Sequence, residues 1–133
     1  MQGLHLTADL HDCGCEQRWL TDAALLGQHC VAAVRSADLQ AVAQLFHTFD
    51  SADGVTLAGV TATVLLAESH LCVHTWPERQ AVTLDVYVCN FGGDHSAKAQ
   101  ALMDSLLALF QPAEVQRHAL QRGELATAVS SAK

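Results

Sequence analysis

The sequence predicts an α+β domain in which an antiparallel sheet carries its helices on one face, as a two-layer sandwich. Three observations lead there. Strand-like runs follow one another with few helical stretches between them, so most neighbouring strands must pair antiparallel. Only two segments read as helices of useful length. Several strands alternate apolar and polar residues, which gives the sheet one dry and one wet face. With 133 residues, half of them hydrophobic, the chain suits one compact core and is short for two. A single domain over 1–133 is therefore expected.

The elements follow in order. Leu4, Leu6, Ala8 and Leu10 alternate with His5, Thr7, Asp9 and His11, the period of a first strand, and Asp12-Cys13-Gly14 breaks it. Thr21 is placed to cap a helix running through Ala24, Leu25, Val31 and Val34 to about Ser36. Leu39 to Phe49 reads as a second strand, and Asp50-Ser51-Ala52-Asp53-Gly54 as a loop. Three β-rich runs come next: Val55 to Leu66, His70 to Trp76, and Ala81 to Cys89. In the last, Val82, Leu84, Val86 and Val88 share one face, and Thr83, Asp85, Tyr87 and Cys89 the other. Asn90 to Asp94 is a glycine-containing loop. A helix from about Ser96 to Phe110 is stopped by Pro112, and Ala113 to Leu120 closes the pattern as a strand. The tail from Gly123, small and polar, reads as frayed.

Composition narrows the function classes. A formal charge of −7 with only seven Lys and Arg makes nucleic acid a poor partner. No apolar run reaches the roughly 18 residues of a membrane span, and Met1-Gln2-Gly3-Leu4-His5 lacks the basic start and apolar block of an export signal. A cytoplasmic protein is expected. Its five cysteines, an odd number, then read as reduced thiols. Cys13 and Cys15 are too close together for a usual zinc pair, so no metal site is expected.

Chemistry concentrates in Glu68-Ser69-His70-Leu71-Cys72-Val73-His74-Thr75-Trp76-Pro77-Glu78. On a strand, His70, Cys72, His74 and Trp76 share one face, and Ser69 stands at the bend before it. Metal binding by His70 and His74 is disfavoured, because on a strand that spacing separates them by about 13 Å. A serine hydrolase is disfavoured too, since Ser69 lacks the Gly-x-Ser-x-Gly strand-turn-helix elbow.

The same residues resemble the processing site of the bacterial and archaeal S-adenosylmethionine decarboxylase proenzymes. Glu68-Ser69-His70-Leu71-x-x-His74-Thr75-Trp76-Pro77-Glu78 is a long and specific match. Gly59-Val60-Thr61 stands where that family usually has Gly-Val-Ser, and Leu84-Asp85-Val86-Tyr87-Val88-Cys89 where it has an Asp-x-Phe-x-Cys strand. His5-Leu6-x-Ala8-Asp9-Leu10-x-x-Cys13 is similar to its first strand, and Phe46-His47-Thr48-Phe49 to its Phe-His-x-Phe segment.

The resemblance implies self-cleavage between Glu68 and Ser69 into a β chain, 1–68, and an α chain, 69–133. Ser69 would become a covalent pyruvoyl group, the only cofactor, which captures a substrate amine as a Schiff base and takes up electrons as CO₂ leaves. His74 is then the processing base, helped by the Thr61 hydroxyl, and Cys89 the proton donor. Phe49, Trp76 and Glu78 would bind substrate, the aromatics at adenine and the carboxylate at ribose. Cys13, Cys15, Cys30 and Cys72 are left structural. The implied activity is a carboxy-lyase of polyamine biosynthesis, with a small-molecule amine as substrate. A homodimer or higher homo-oligomer is implied, sheets face to face in four αββα layers with two active sites near the interface.

Departures from the family pattern bear on substrate. The stretch from Asp50 to Ala58 is longer than usual, Arg79-Gln80-Ala81 replaces Tyr-Gly-Tyr, and Asn90 stands where a glycine usually follows the cysteine. Asp94-His95-Ser96-Ala97-Lys98 matches the usual Asp-Pro-Trp-Lys only loosely. A decarboxylase of L-ornithine or L-arginine therefore stays open beside the adenosylmethionine reading. Such a substrate's distal cation would want a carboxylate among Asp50, Asp53 and Glu78. An unprocessed regulatory paralogue is the third alternative.

Overall fold

The computed structural model describes residues 1–51, 54 and 57–123. Its strands are β1 (Gln2–Cys13), β2 (Ala41–Thr48), β3 (Val60–Leu66), β4 (Ser69–Trp76), β5 (Ala81–Cys89) and β6 (Pro112–Gly123). They form one six-stranded sheet in the order β2-β3-β4-β5-β1-β6, every neighbouring pair antiparallel. The helices are α1 (Arg18–Thr21), α2 (Ala23–Ser36) and α3 (Ser96–Phe110). This is the expected α+β architecture with helices over one face.

Local chemistry sets the helix ends. Asp22, not Thr21, caps α2: its side chain accepts from the Leu25 N–H at 3.0 Å. Thr21 instead closes the four-residue α1, its hydroxyl donating to the Gln17 carbonyl. Leu26, Cys30, Ala33 and Val34 recur at helical spacing and form the buried stripe of α2. Gly27 is needed there because the Phe46 ring lies where a Cβ would stand. In α3 the stripe is Ala99, Leu102, Met103, Leu106 and Phe110. Gln111 then turns left-handed at φ 51°, and Pro112 starts β6 because it cannot continue a helix.

These stripes cover one sheet face, where the strands supply Leu10, Val64, Leu71, Val73, Val86 and their neighbours at every second position. The buried polar residue Thr75 is satisfied: its hydroxyl accepts from the Val60 N–H at 2.9 Å and donates to the Leu20 carbonyl at 2.7 Å. Among the described residues no helix lies over the opposite face, which presents half-buried polar residues with the exposed Leu45, Leu65 and Leu120 among them.

Some sequence expectations shift. Of the run that begins at Val55, residues 57–59 are not in a strand, and β3 begins at Val60, directly opposite Thr48, the last residue of β2. Positions 55 and 56, and the tail beyond Gly123, lie outside the described residues. The first and last strands are longer than their alternation suggests, since β1 and β6 pair along nearly their whole length. All five cysteines are free thiols. Burial pushes the Cys30 thiol up to about 12, and burial with the nearby Cys15 and Asp12 pushes Cys13 up to about 11. Among the described residues, no helix is long and apolar enough to cross a membrane.

Candidate active site

Ser69 is the first residue of β4, reached from Leu66 through the two-residue turn Ala67–Glu68. Glu68 has φ 56°, the left-handed region, which costs a non-glycine residue about 1 kcal/mol or more. Strain therefore sits next to the 68–69 peptide bond. The Ser69 Oγ accepts the backbone N–H of Cys89 at 2.9 Å. Glu68, Ser69 and Cys89 line one cleft of about 280 Å³, together with Phe91, His95 and Lys98. Cys89 ends β5 opposite Gly3 of β1. A side chain on Gly3 would meet the Tyr87 hydroxyl at 2.8 Å and the Val88 carbonyl at 2.7 Å, so glycine is what leaves room at this end of the sheet.

A second cluster occupies the other end of β3 and β4. Thr61 and His74 are direct cross-strand partners, and the Thr61 hydroxyl lies 2.9 Å from His74 Nδ1. If Nδ1 accepts, the hydroxyl proton points at the base; if Nδ1 donates, the Nε2 lone pair is free to take a proton. Both residues line a cleft of about 600 Å³ together with Phe49, Trp76 and Glu78. Phe49 is 51% exposed and Trp76 40%, and each has a histidine beside its ring, His47 at 4.7 Å and His74 at 6.3 Å between centroids. The cleft also holds Asp50 and Ser51, while Asp53 lies outside the described residues.

All the sequence-derived site residues thus fall into two groups: Glu68, Ser69 and Cys89 at one end, Thr61, His74, Phe49, Trp76 and Glu78 at the other. His74 is five residues along β4 from Ser69, about 16 Å at the rise of a strand. Within one chain, His74 and Thr61 cannot assist Ser69 directly, a separation that the expected roles had not taken into account.

His70 does not meet His74 either. Its Nε2 lies 2.8 Å from Asp85 Oδ2, and His5 Nε2 lies 2.9 Å from the same oxygen. This is the one group among the described residues with three metal-ligand atoms close together. Arg122 speaks against a metal there. Its guanidinium can only donate, at 3.2 Å, to His5 Nδ1, which leaves the ring proton on Nε2 and takes that nitrogen out of use as a ligand. Sequence reading passed over this group because its members come from distant parts of the chain.

The comparisons with known proteins agree with one another. The sequence profile of the S-adenosylmethionine decarboxylase family matches residues 4–123. An S-adenosylmethionine decarboxylase proenzyme from Aquifex aeolicus (strain VF5) is 34% identical over 121 residues, 91% of this chain and 81% of the relative. One from Parasynechococcus marenigrum (strain WH8102) is 36% identical over 124 residues, 91% of this chain and 83% of the relative. The crystal structure of the adenosylmethionine decarboxylase from Aquifex aeolicus VF5 superposes with a TM-score of 0.78 at 31% identity, covering 93% of this chain and 92% of that one.

Proposed function

The chain belongs to the S-adenosylmethionine decarboxylase family of carboxy-lyases, and we propose that it decarboxylates S-adenosylmethionine with a pyruvoyl group made from its own Ser69. One observation carries this reading: Ser69 follows a left-handed Glu68, and its Oγ is held by the Cys89 N–H at 2.9 Å.

That arrangement fits the making of the group. The N–H holds the Ser69 oxygen while leaving its proton free to go. Oγ attacks the Glu68 carbonyl carbon; the C–O bond forms, the C–N bond breaks, and the freed Ser69 nitrogen takes a proton. The turn strain at Glu68 offsets part of the cost of converting an amide to an ester. Loss of the Ser69 Cα proton to a base then expels Glu68 as a carboxylate. That elimination separates 1–68 from 69–133, and water then hydrolyses the enamine left on residue 69, through its imine tautomer, to the pyruvoyl ketone and ammonia.

When present, the pyruvoyl group supplies a ketone for the substrate amine and a sink for the electrons that CO₂ leaves behind. The protein's own part is binding and proton transfer. Cys89, which lines the same cleft, delivers a proton from its thiol to the carbon that loses CO₂. Phe49 and Trp76 stack on the nucleoside base and Glu78 accepts from the ribose hydroxyls. Glu78 and Asp50 also favour a cationic substrate, and no Lys or Arg lines that cleft among the described residues.

The two residue groups must meet for this to work, and a second copy can bring them together. A two-fold interface is reciprocal. If the uncovered faces pair, the Ser69 end of each chain can receive Thr61, His74 and the nucleoside cleft of the other. Two equal sites per dimer follow.

The test is CO₂ release from S-adenosylmethionine, L-ornithine and L-arginine in parallel, with Ser69→Ala as the blank. Release from adenosylmethionine alone supports the proposal. Release from an amino acid alone would move Asp50 and Glu78 to recognition of a distal ammonium or guanidinium. No release from any of the three would point to a regulatory paralogue.

A further inference from the structure

The uncovered sheet face carries a polar node that neither cleavage nor decarboxylation uses. His70 of β4, Tyr87 of β5 and His5 of β1 stand in one cross-strand row. Asp85, one pleat further along β5, accepts from both flanking imidazoles through Oδ2, at 2.8 and 2.9 Å. Arg122 of β6 closes the node, donating to His5 Nδ1 and lying over the Tyr87 ring at 5.1 Å. The side chains of His5, Asp85 and His70 are 18%, 28% and 32% exposed, so solvent screens these charge-assisted bonds less than those of a surface pair.

We propose that this node clamps the chain end that cleavage creates, with His70 and Asp85 as positioning residues for the group at position 69. The inference rests on the reading that the 68–69 bond is cut. In the uncut chain the β3–β4 turn ties Ser69 to Leu66 covalently. After the cut, residue 69 is a chain terminus at the last pair of the β3–β4 ladder, and termini fray unless tied down. His70 is the first side chain behind it. Through Asp85 its anchor reaches His5, which belongs to the other fragment. The clamp therefore holds the new terminus to β5, the strand that ends in Cys89, and to the 1–68 fragment. A misplacement of about 1 Å at a reacting group can cost about 10²-fold in rate.

The test uses the full chain with His70→Leu, which removes the N–H donor, and His70→Gln, which keeps one near the position of Nε2. Both variants should still yield 1–68 and 69–133 by denaturing mass spectrometry, because the turn holds the register until the cut. In cleaved His70→Leu, amide exchange over 69–76 should rise by about tenfold and kcat should fall by about tenfold with little change in KM. His70→Gln should restore both to within about threefold of wild type. In the uncleavable Ser69→Ala background, His70→Leu should leave exchange over 69–76 unchanged. Equal acceleration there, unchanged exchange in the cleaved protein, or failure of His70→Leu to cleave would overturn the clamp. Should His70→Leu not fold, Asp85→Asn, which keeps the shape and loses the charge, carries the same expectations. An intact wild-type chain would overturn the cleavage reading and the clamp with it, whereas fragments with unchanged exchange would overturn the clamp alone.

Discussion

Thr61 Oγ1 lies 2.9 Å from His74 Nδ1, yet this pair stands about 16 Å along β4 from Ser69, the residue it is proposed to serve. The distance turns a catalytic assignment into a statement about assembly. It predicts complementation. Alone, Ser69→Ala should not cleave, and His74→Ala should cleave about 10²- to 10⁴-fold more slowly than wild type. Co-expressed, the His74→Ala chain should be cut, because its intact Ser69 meets an intact His74 on the other copy. Mass spectrometry of the mixture checks this. If the His74→Ala chain stays uncut in the mixture, His74 does not act across an interface.

Cys89 makes two different contributions, and they separate by mutation. Its backbone N–H holds Ser69 Oγ, while its thiol is the proposed proton donor. Cys89→Ala keeps the N–H and should still give the two fragments. Turnover should fall by about 10²- to 10⁴-fold. Loss of cleavage together with turnover would mean that the thiol serves processing as well.

Much of this was legible in the sequence, for identifiable reasons. The strict alternation from Val82 to Val88 gave β5 its bounds, and the stop at Pro112 gave α3 its end. The short α1 was not legible, because four residues from Arg18 to Thr21 carry too little periodicity. Capping by Asp22 rather than Thr21 turned on a one-residue choice between two competent side chains. The candidate site residues came from a resemblance, but their division into two ends did not, although the strand rise that separates His70 from His74 also separates Ser69 from His74. The Asp85 node needs the register of β1, β4 and β5 together; His5 and Asp85 are 80 residues apart in the chain.

Phe110 ends the buried stripe of α3 and is fully buried. Phe110→Ala should cost about 3–5 kcal/mol in unfolding free energy, measured by urea titration of the uncleavable Ser69→Ala chain. A cost under about 1 kcal/mol would mean that α3 packs less tightly on the sheet than described.

Burial raises the Cys30 thiol from its ordinary 9.0 to about 12. Between those values the unfolded chain has lost a proton that the native chain keeps, so stability falls as pH rises. The slope is about 1.4 kcal/mol per pH unit for this thiol, fully developed above 9 and ending near 12. Below 9 the thiol contributes no slope. Cys30→Ala should remove this component, seen as a shallower fall of urea midpoints from pH 9 to 11. An unchanged fall would mean that Cys30 does not stay protonated in the native state.

The conversion of Ser69 is tested most directly by denaturing mass spectrometry of purified wild-type protein after long incubation. Two chains are expected, 1–68 with an ordinary carboxyl end and 69–133 with a pyruvoyl in place of its first serine. Ser69→Ala should remain whole. A single intact wild-type chain of 133 residues would contradict the conversion, and with it the proposed mechanism.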